Sequence, residues 1–182
     1  MYCSYYETRF GSGSVYATDY GIAQVVIPNV SEPTSIDHAE FQECKASELT
    51  ASAARMLQRY FLGERIEFND IPVDLDGLTE FRRSVLVAAR NLMYGDVCSY
   101  GQLAEACGSP RAARAIGGAL ASNPVPVIIP CHRIVASDGR LTGYSAPGGE
   151  NTKWALLKIE GVKFKGLQVV KNQVVMHRTS SR

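Results

Sequence analysis

The chain has 182 residues, 46% of them hydrophobic and 20% charged, with a formal net charge of +1. This is enough apolar material for one good core or two small ones, and no stretch reaches the roughly 18 consecutive apolar residues of a membrane span. Met1 to Phe10 carries Glu7 and Arg9 and lacks the apolar run of a secretion signal, so the protein is expected to be soluble and cytoplasmic, with no membrane partner.

In chain order, residues 1–30 read as short antiparallel strands at about Cys3–Arg9, Val15–Thr18 and Gly21–Ile27, with Gly11-Ser12-Gly13 and Asp19-Tyr20-Gly21 as turns. Residues 31–47 are polar and read as loop. Ser47 then opens a helix to about Phe61, with Leu49, Ala53, Met56, Leu57 and Tyr60 on one face and Gly63 as its stop. Ile66, Phe68 and Ile71 suggest one more strand before Pro72. No chemical constellation stands out here, so residues 1–75 are read as an α+β scaffolding domain.

Thr79-Glu80-Phe81 opens a helix to about Leu92, with Phe81, Val85, Leu86 and Ala89 inward and Arg82, Arg83 and Arg90 outward. Ser99 caps a short helix from Tyr100 to Cys107, which Gly108 ends. Ser109-Pro110 predicts a second helix start, because proline suits the first helical position. Its residues, Arg111 to Leu120, are mostly Ala and Gly, and Arg114 projects from a slim rod. Two helices joined by a tight Gly-Ser-Pro turn form a helix-turn-helix. A rod this thin can press into a minor groove about 6 Å wide; the competing reading is close helix packing. Ser137-Asp138-Gly139-Arg140 reads as a wing-like turn. A last helix is expected from about Asn151 to Glu160, burying Trp154 or Ala155 with Leu156, Leu157 and Ile159.

The fold class is therefore α+β: a small antiparallel sheet-plus-helix domain, then a mostly helical, winged helix-turn-helix-like domain over residues 76–166. Residues 167–182 are a tail, either hairpin or disordered. Residues 1–75 hold 5 Lys/Arg against 11 Asp/Glu, whereas residues 76–166 hold 11 against 7. A basic half beside an acidic half suggests that one of them faces a polyanion.

Cysteines at 3, 44, 98, 107 and 131 are odd in number and spread out, the pattern of a reducing compartment rather than a disulfide framework. Cys3, His38 and Cys44 lack the spacing of a zinc site, and no metal is expected. The informative cysteine is Cys131. The apolar run Pro124 to Ile129 reads as a buried strand delivering Pro130-Cys131-His132-Arg133, a tetrad expected by chance in roughly one chain in several thousand. Proline stiffens the approach, and His132 supplies a base of unperturbed pKa near 6.5. A lone free cysteine is usually a small core residue, but these flanking residues favour a nucleophile.

Pro130-Cys131-His132-Arg133, preceded by Asn123-Pro124 and followed by Gly143-Tyr144-Ser145, strongly resembles the O6-alkylguanine-DNA alkyltransferases, densely over about Asp76 to Gly161 and loosely before it. The resemblance implies direct repair of duplex DNA containing O6-alkylguanine, and O4-alkylthymine as well, by irreversible transfer of the alkyl group to Cys131 after base flipping. It implies no cofactor, and the chain is expected to act as a monomer. By the same resemblance His132 is the base, acting through one bound water because a sequence neighbour is badly placed to face the sulfur, and Glu160 is its acidic partner. Asn123, otherwise a helix cap, ties the helix-turn-helix to the cysteine loop. Tyr100 donates to the guanine ring, Tyr144 and Ser145 line the pocket, and the carbonyls of Cys131 and Ile134 accept from the exocyclic amine. Arg114 fills the space left by the flipped base, and Ser109 and Ser137 contact phosphate. The alternatives are a lesion-sensing DNA binder without chemistry and a cysteine hydrolase built on Cys131, His132 and Glu160.

Overall fold

The computed structural model describes residues 1–30, 32 and 44–170. The expectations placed on His38 and on the tail from Lys171 onward lie outside the described residues, as does most of the polar stretch after residue 30.

The N-terminal sheet has strand order β1-β2-β3, with β1 Tyr2–Thr8, β2 Gly11–Ala17 and β3 Ile22–Val26, all antiparallel. The Gly11-Ser12-Gly13 segment predicted as a turn is the start of β2, and Arg9-Phe10 alone reverse the chain. The reason is packing. A Cβ on Gly13 would lie 2.3 Å from Tyr6 Cζ, so glycine lets the Tyr6 ring cross the sheet and donate its hydroxyl to Val26 O at 3.1 Å. Helix α1, Glu48–Phe61, is capped as expected by Ser47, whose hydroxyl accepts from Thr50 N in a capping box. Its buried stripe includes Ala53, Leu57 and Tyr60 and covers β1 and β2.

Three expectations fail within residues 1–75 and at Arg90. Ile66, Phe68 and Ile71 are buried but form no strand, because the Arg90 guanidinium satisfies the carbonyls of Phe68, Asn69 and Ile71 that a sheet partner would otherwise take. Arg90 thus points inward under this loop rather than outward. Cys3 and Cys44 are joined in a disulfide, with their Cα atoms 5.7 Å apart. Their 41-residue separation hides the pairing in sequence, and the backbone bond from Cys3 N to Lys45 O (3.1 Å) sets the two segments side by side.

Helix α2, Glu80–Arg90, is capped by Thr79 and buries Val85, Leu86 and Ala89 while leaving Phe81 exposed. Strand β4, Cys98–Ser99, leads directly into α3, Tyr100–Ala106, capped by Ser99. The next helix, α4, is Ala113–Ala121 and begins later than the Ser109-Pro110 signal predicted. Ser109 instead closes a turn, accepting at its carbonyl from Ala112 N at 2.8 Å, and Ala112 caps α4 without a side-chain bond. The run Pro124 to Pro130 is largely buried yet not a strand. A bend at 124–125 and a turn at 127–128 carry it, Val127 adopts φ 72°, and a short 3₁₀ turn, Cys131–Arg133, follows. β5, Ile134–Val135, pairs parallel with β4, which brings the start of α3 beside the cysteine turn.

Ala136 to Arg140 forms the wing turn, with Gly139 N donating to Ala136 O at 2.9 Å. Helix α5, Gly149–Ile159, follows, and then a hairpin of β6, Phe164–Lys165, and β7, Gln168–Val169. That hairpin comes earlier than the expected tail hairpin, and Val169 packs in a second small core with Val97, Val135, Leu141, Leu157 and Val162. The main core runs without a break from Val15 and Leu57 to Ile116, Ile129 and Cys131, so the two sequence halves share it. No helix among the described residues is long and apolar enough to cross a membrane.

Candidate active site

The loop after α4 is tied by Asn123. Its side-chain carbonyl accepts from Val125 N at 3.1 Å, and its amide donates to Ile129 O at 2.9 Å and to the Cys131 sulfur at 3.1 Å. Ser122 rather than Asn123 caps the helix, which leaves the amide free for this bracing role. On the far side, Val25 N of β3 donates to Pro124 O at 2.9 Å, so the N-terminal sheet also fixes the approach.

Cys131 is 8% exposed. It lines a cavity of about 430 Å³ with Asn123, Pro124, Tyr144, Ser145 and β3. Burial pushes its thiol pKa up, against the Asn123 amide, the charge of Lys153 and nearby backbone N–H groups, which favour the thiolate. A resting thiol therefore needs a base before it can attack.

His132 is completely buried, and its Nε2 lies 2.7 Å from Glu160 Oε1. Burial lowers its pKa, although Glu160 pulls the other way. The imidazole is therefore neutral at pH 7, and because Glu160 can only accept, Nε2 carries the proton and Nδ1 is the basic atom. Nδ1 has no protein partner. Burial would raise the Glu160 pKa, but His132 and Arg133 more than reverse this and hold it at about 2. Its carboxylate accepts from Arg133 Nε and Nη2 at 2.9 Å each and from Gly95 N at 3.1 Å. Arg133 also donates to Leu92 O. The third residue of the tetrad thus anchors the acid, which the sequence reading did not assign.

Tyr100 begins α3 and donates its hydroxyl to Thr142 O at 2.9 Å. Gly143 makes room for it, since at φ 62° a Cβ would lie 3.1 Å from that hydroxyl. Burial raises the Tyr100 pKa, keeping it a donor. The exposed Ser145 donates to Ala121 O at 3.0 Å, and the Tyr144 hydroxyl is buried without a partner. A second cavity of about 440 Å³ is lined by Tyr100, Arg114, Gly117, Thr142, Gly143, Tyr144 and Ser145, and it shares Ala121, Tyr144 and Ser145 with the first. Arg114 is exposed on α4 beside it. Ile134 is buried, and its N–H already donates to Cys131 O. Ser109 and Ser137 sit in the turn before α4 and in the wing turn, away from both cavities.

Besides the role of Arg133, a further residue of this site was not anticipated. Lys153 is 0% exposed, donates Nζ to Thr142 O at 2.8 Å and stands 5.6 Å from the Tyr100 ring centroid. Desolvation lowers its pKa to about 8, opposed by Cys131 and Glu150. The sequence expectation buried Trp154 or Ala155 at this point of α5, yet Trp154 is 38% exposed. The spacing signal was present, because residue 153 lies three before Leu156 and four before Leu157 on one helical face.

Residues 1–75 match the family model for the ribonuclease-like domain of 6-O-methylguanine DNA methyltransferase, and residues 80–162 match the model for its DNA-binding domain. A methylated-DNA–protein-cysteine methyltransferase from Methanosarcina acetivorans is 34% identical over 161 residues, 88% of this chain and 99% of that protein. One from Mycolicibacterium paratuberculosis is 46% identical over 110 residues, 60% of this chain. That match spans 64% of the curated relative's length. Among solved structures, Mycobacterium tuberculosis OGT in complex with DNA has a TM-score of 0.72 and 32% identity, covering 88% of this chain and 93% of that one. A braced thiol, a buried histidine–carboxylate pair and the slim α3–α4 helix pair thus sit together on a fold shared with the solved OGT structure. The chain belongs to the 6-O-methylguanine DNA methyltransferase family.

Proposed function

We propose that this protein repairs duplex DNA by taking the alkyl group from O6 of a flipped-out guanine, and from O4 of alkylated thymine, onto Cys131, once and irreversibly. The observation that carries the reading is the pair of adjoining cavities. Cys131 walls one, Arg114 and Tyr100 wall the other, and Ala121, Tyr144 and Ser145 belong to both. A base swung out of the stack beside α4 therefore has a path to the sulfur.

In this scheme the thiol proton passes through a bound water to His132 Nδ1, and Glu160 stabilises the resulting imidazolium. The thiolate attacks the alkyl carbon, the S–C bond forms and the C–O6 bond breaks. The guanine leaves with the negative charge, which Tyr100 and Ser145 meet as hydrogen-bond donors once released from Thr142 O and Ala121 O. Tyr144 and the carbonyls of Cys131 and Ile134 hold the base, Arg114 occupies its vacated place, and Ser109 and Ser137 touch phosphate. The thioether product has no electrophilic carbonyl for water to attack, so turnover stops. Residues 76–166 act as the reactive and DNA-binding domain, and residues 1–75 brace it. All the reacting groups lie in one chain, which supports a monomer. The reactive Cys131 thiol favours the cytoplasm, while the Cys3–Cys44 disulfide weighs against a reducing compartment.

Intact-mass analysis after incubation with a methylguanine-containing duplex tests this. One methyl increment on the Cys131 peptide, lost in Cys131→Ser, is the expected result. DNA retention without a mass change would point to a lesion sensor, and peptide or amide turnover to a hydrolase.

A further inference from the structure

The carboxylate of Glu160 has a partner that comes from the other half of the chain. Tyr60, in the last turn of α1, is 0% exposed and donates its hydroxyl to Glu160 Oε1 at 2.7 Å. The same oxygen lies 3.3 Å from His132 Nε2. One hundred residues separate Tyr60 from Glu160 in sequence. The ring rests edge-on against Phe61, Phe68, Tyr94 and His132.

Packing alone does not explain a tyrosine here. Phenylalanine would fill the same aromatic cluster without the cost of desolvating a hydroxyl. What the hydroxyl adds is two contacts, and both are to the acid–base pair. We propose that Tyr60 is a positioning residue contributed by the N-terminal domain, whose hydroxyl locks the Glu160 carboxylate and, through it, the His132 ring in the orientation that leaves Nδ1 as the free basic atom. The proposal rests on the alkyl-transfer reading and extends it: residues 1–75 then supply part of the acid–base apparatus as well as bracing it.

The geometry supports this over a passive role. Oε1 accepts from Tyr60, from His132 Nε2 and from Arg133 Nη2, while Oε2 accepts from Arg133 Nε and Gly95 N. Without the hydroxyl, Oε1 keeps only donors from the cysteine turn, and the carboxylate can rotate with them. The charge of Oε1 is also shared among fewer donors, so more of it falls on His132. The other charged or titratable groups around the pair are Arg133, which spans both carboxylate oxygens, Lys153, whose field opposes protonation of His132, and Tyr144, whose hydroxyl is buried nearby. Tyr94 donates to Ile159 O at 2.9 Å and leaves the carboxylate untouched, and Glu67 acts on Arg133. Tyr60 itself stays a neutral donor, because burial first and Glu160 second hold its pKa well above the usual tyrosine range.

Tyr60→Phe in the full chain removes the oxygen and keeps the ring. Two rates are read against pH for wild type and variant: single-turnover methyl transfer from a methylguanine duplex, and carbamidomethylation of the Cys131 peptide by iodoacetamide, which needs no DNA. Losing a hydrogen bond to a buried charge should slow both by about tenfold. The acid limb of both profiles should move to higher pH, because His132 holds its proton more tightly. Tyr60→Leu, which also removes the ring, should lower the thermal midpoint well beyond the few degrees that the lost hydrogen bond costs Tyr60→Phe. A Tyr60→Phe protein with wild-type rates and an unmoved acid limb in both assays overturns the assignment. If wild type transfers no methyl group but the iodoacetamide profile still shifts in the variant, the alkyl-transfer reading fails and the role of Tyr60 stands.

Discussion

Glu160→Gln tests the centre of the acid–base apparatus with a change of one atom. The wild-type carboxylate is fully buried and accepts five hydrogen bonds, three on Oε1 and two on Oε2. A glutamine amide keeps one accepting oxygen and turns the other position into a donor, which must face Arg133 or His132 N–H groups that are donors too. Arg133, 4% exposed, is left without its counter-charge. Breaking one side of a buried pair costs about 3–5 kcal/mol. The titration of Glu160 gives a comparable figure: a pKa lowered from 4.5 to about 2 corresponds to about 3 kcal/mol of native-state stability. In wild type this stability is complete above pH 4.5 and is lost as the pH falls from 4.5 towards 2. His132 acts with the same sign: its pKa is lowered in the folded state, so acid below its ordinary value also favours unfolding. For a chain of this size, 3–5 kcal/mol lowers the thermal midpoint by roughly 6–20 °C. The imidazolium that forms in the reaction also loses its stabilising charge, so methyl transfer should slow by about 10²–10⁴-fold. Circular dichroism melts at pH 7 and at pH 4, with rapid-quench transfer rates, measure both effects. A variant that melts within about 3 °C of wild type and transfers methyl within a few-fold of its rate would refute the account of Glu160 as anchor and charge partner.

Lys153→Met should slow methyl transfer by about tenfold, because it removes a positive charge that favours the Cys131 thiolate and the donor that holds Thr142 O. The folded-state pKa of Lys153 is lowered from 10.5 to about 8, so the unfolded chain binds the extra proton between those values and this residue makes wild type gain stability as the pH rises through them. Urea midpoints should therefore show the wild-type-minus-variant difference growing from pH 8 to pH 10, and a flat difference would rule out a buried charged lysine. Arg114→Ala should reduce methyl transfer from duplex substrate by about tenfold or more, while transfer from a single-stranded oligonucleotide changes little, since only the duplex requires the flipped-out base to be replaced. Equal losses on both substrates would remove Arg114 from the flipping step.

The elements legible in the sequence are those whose signals are local. Ser47, Thr79 and Ser99 cap the helices they were expected to cap, because a short oxygen at that position satisfies amides within three residues of itself. The Pro130-to-Arg133 tetrad and Gly143-Tyr144-Ser145 stand out through rare composition, and the cavities gather Cys131, Asn123, Tyr100, Arg114, Tyr144 and Ser145. Strand signals were weaker. The apolar run before Cys131 and the Ile66–Ile71 segment were both expected to be strands, yet both are buried coil. Hydrophobic content reports burial but not the identity of the hydrogen-bond partner, which here is the Asn123 amide in one case and the Arg90 guanidinium in the other.

What tertiary structure alone decided is which distant groups converge. The residues of the last helix gave Lys153 no role, and Tyr60 was expected on the buried face of a helix in a scaffolding domain. Folding places one against Tyr100 and Thr142 and the other on Glu160, and it joins Cys3 to Cys44 across 41 residues. A local pattern specifies how a segment coils and which face it buries. It carries no information about what lies opposite that face, and a buried polar atom takes its role from its partner, which only the assembled chain supplies.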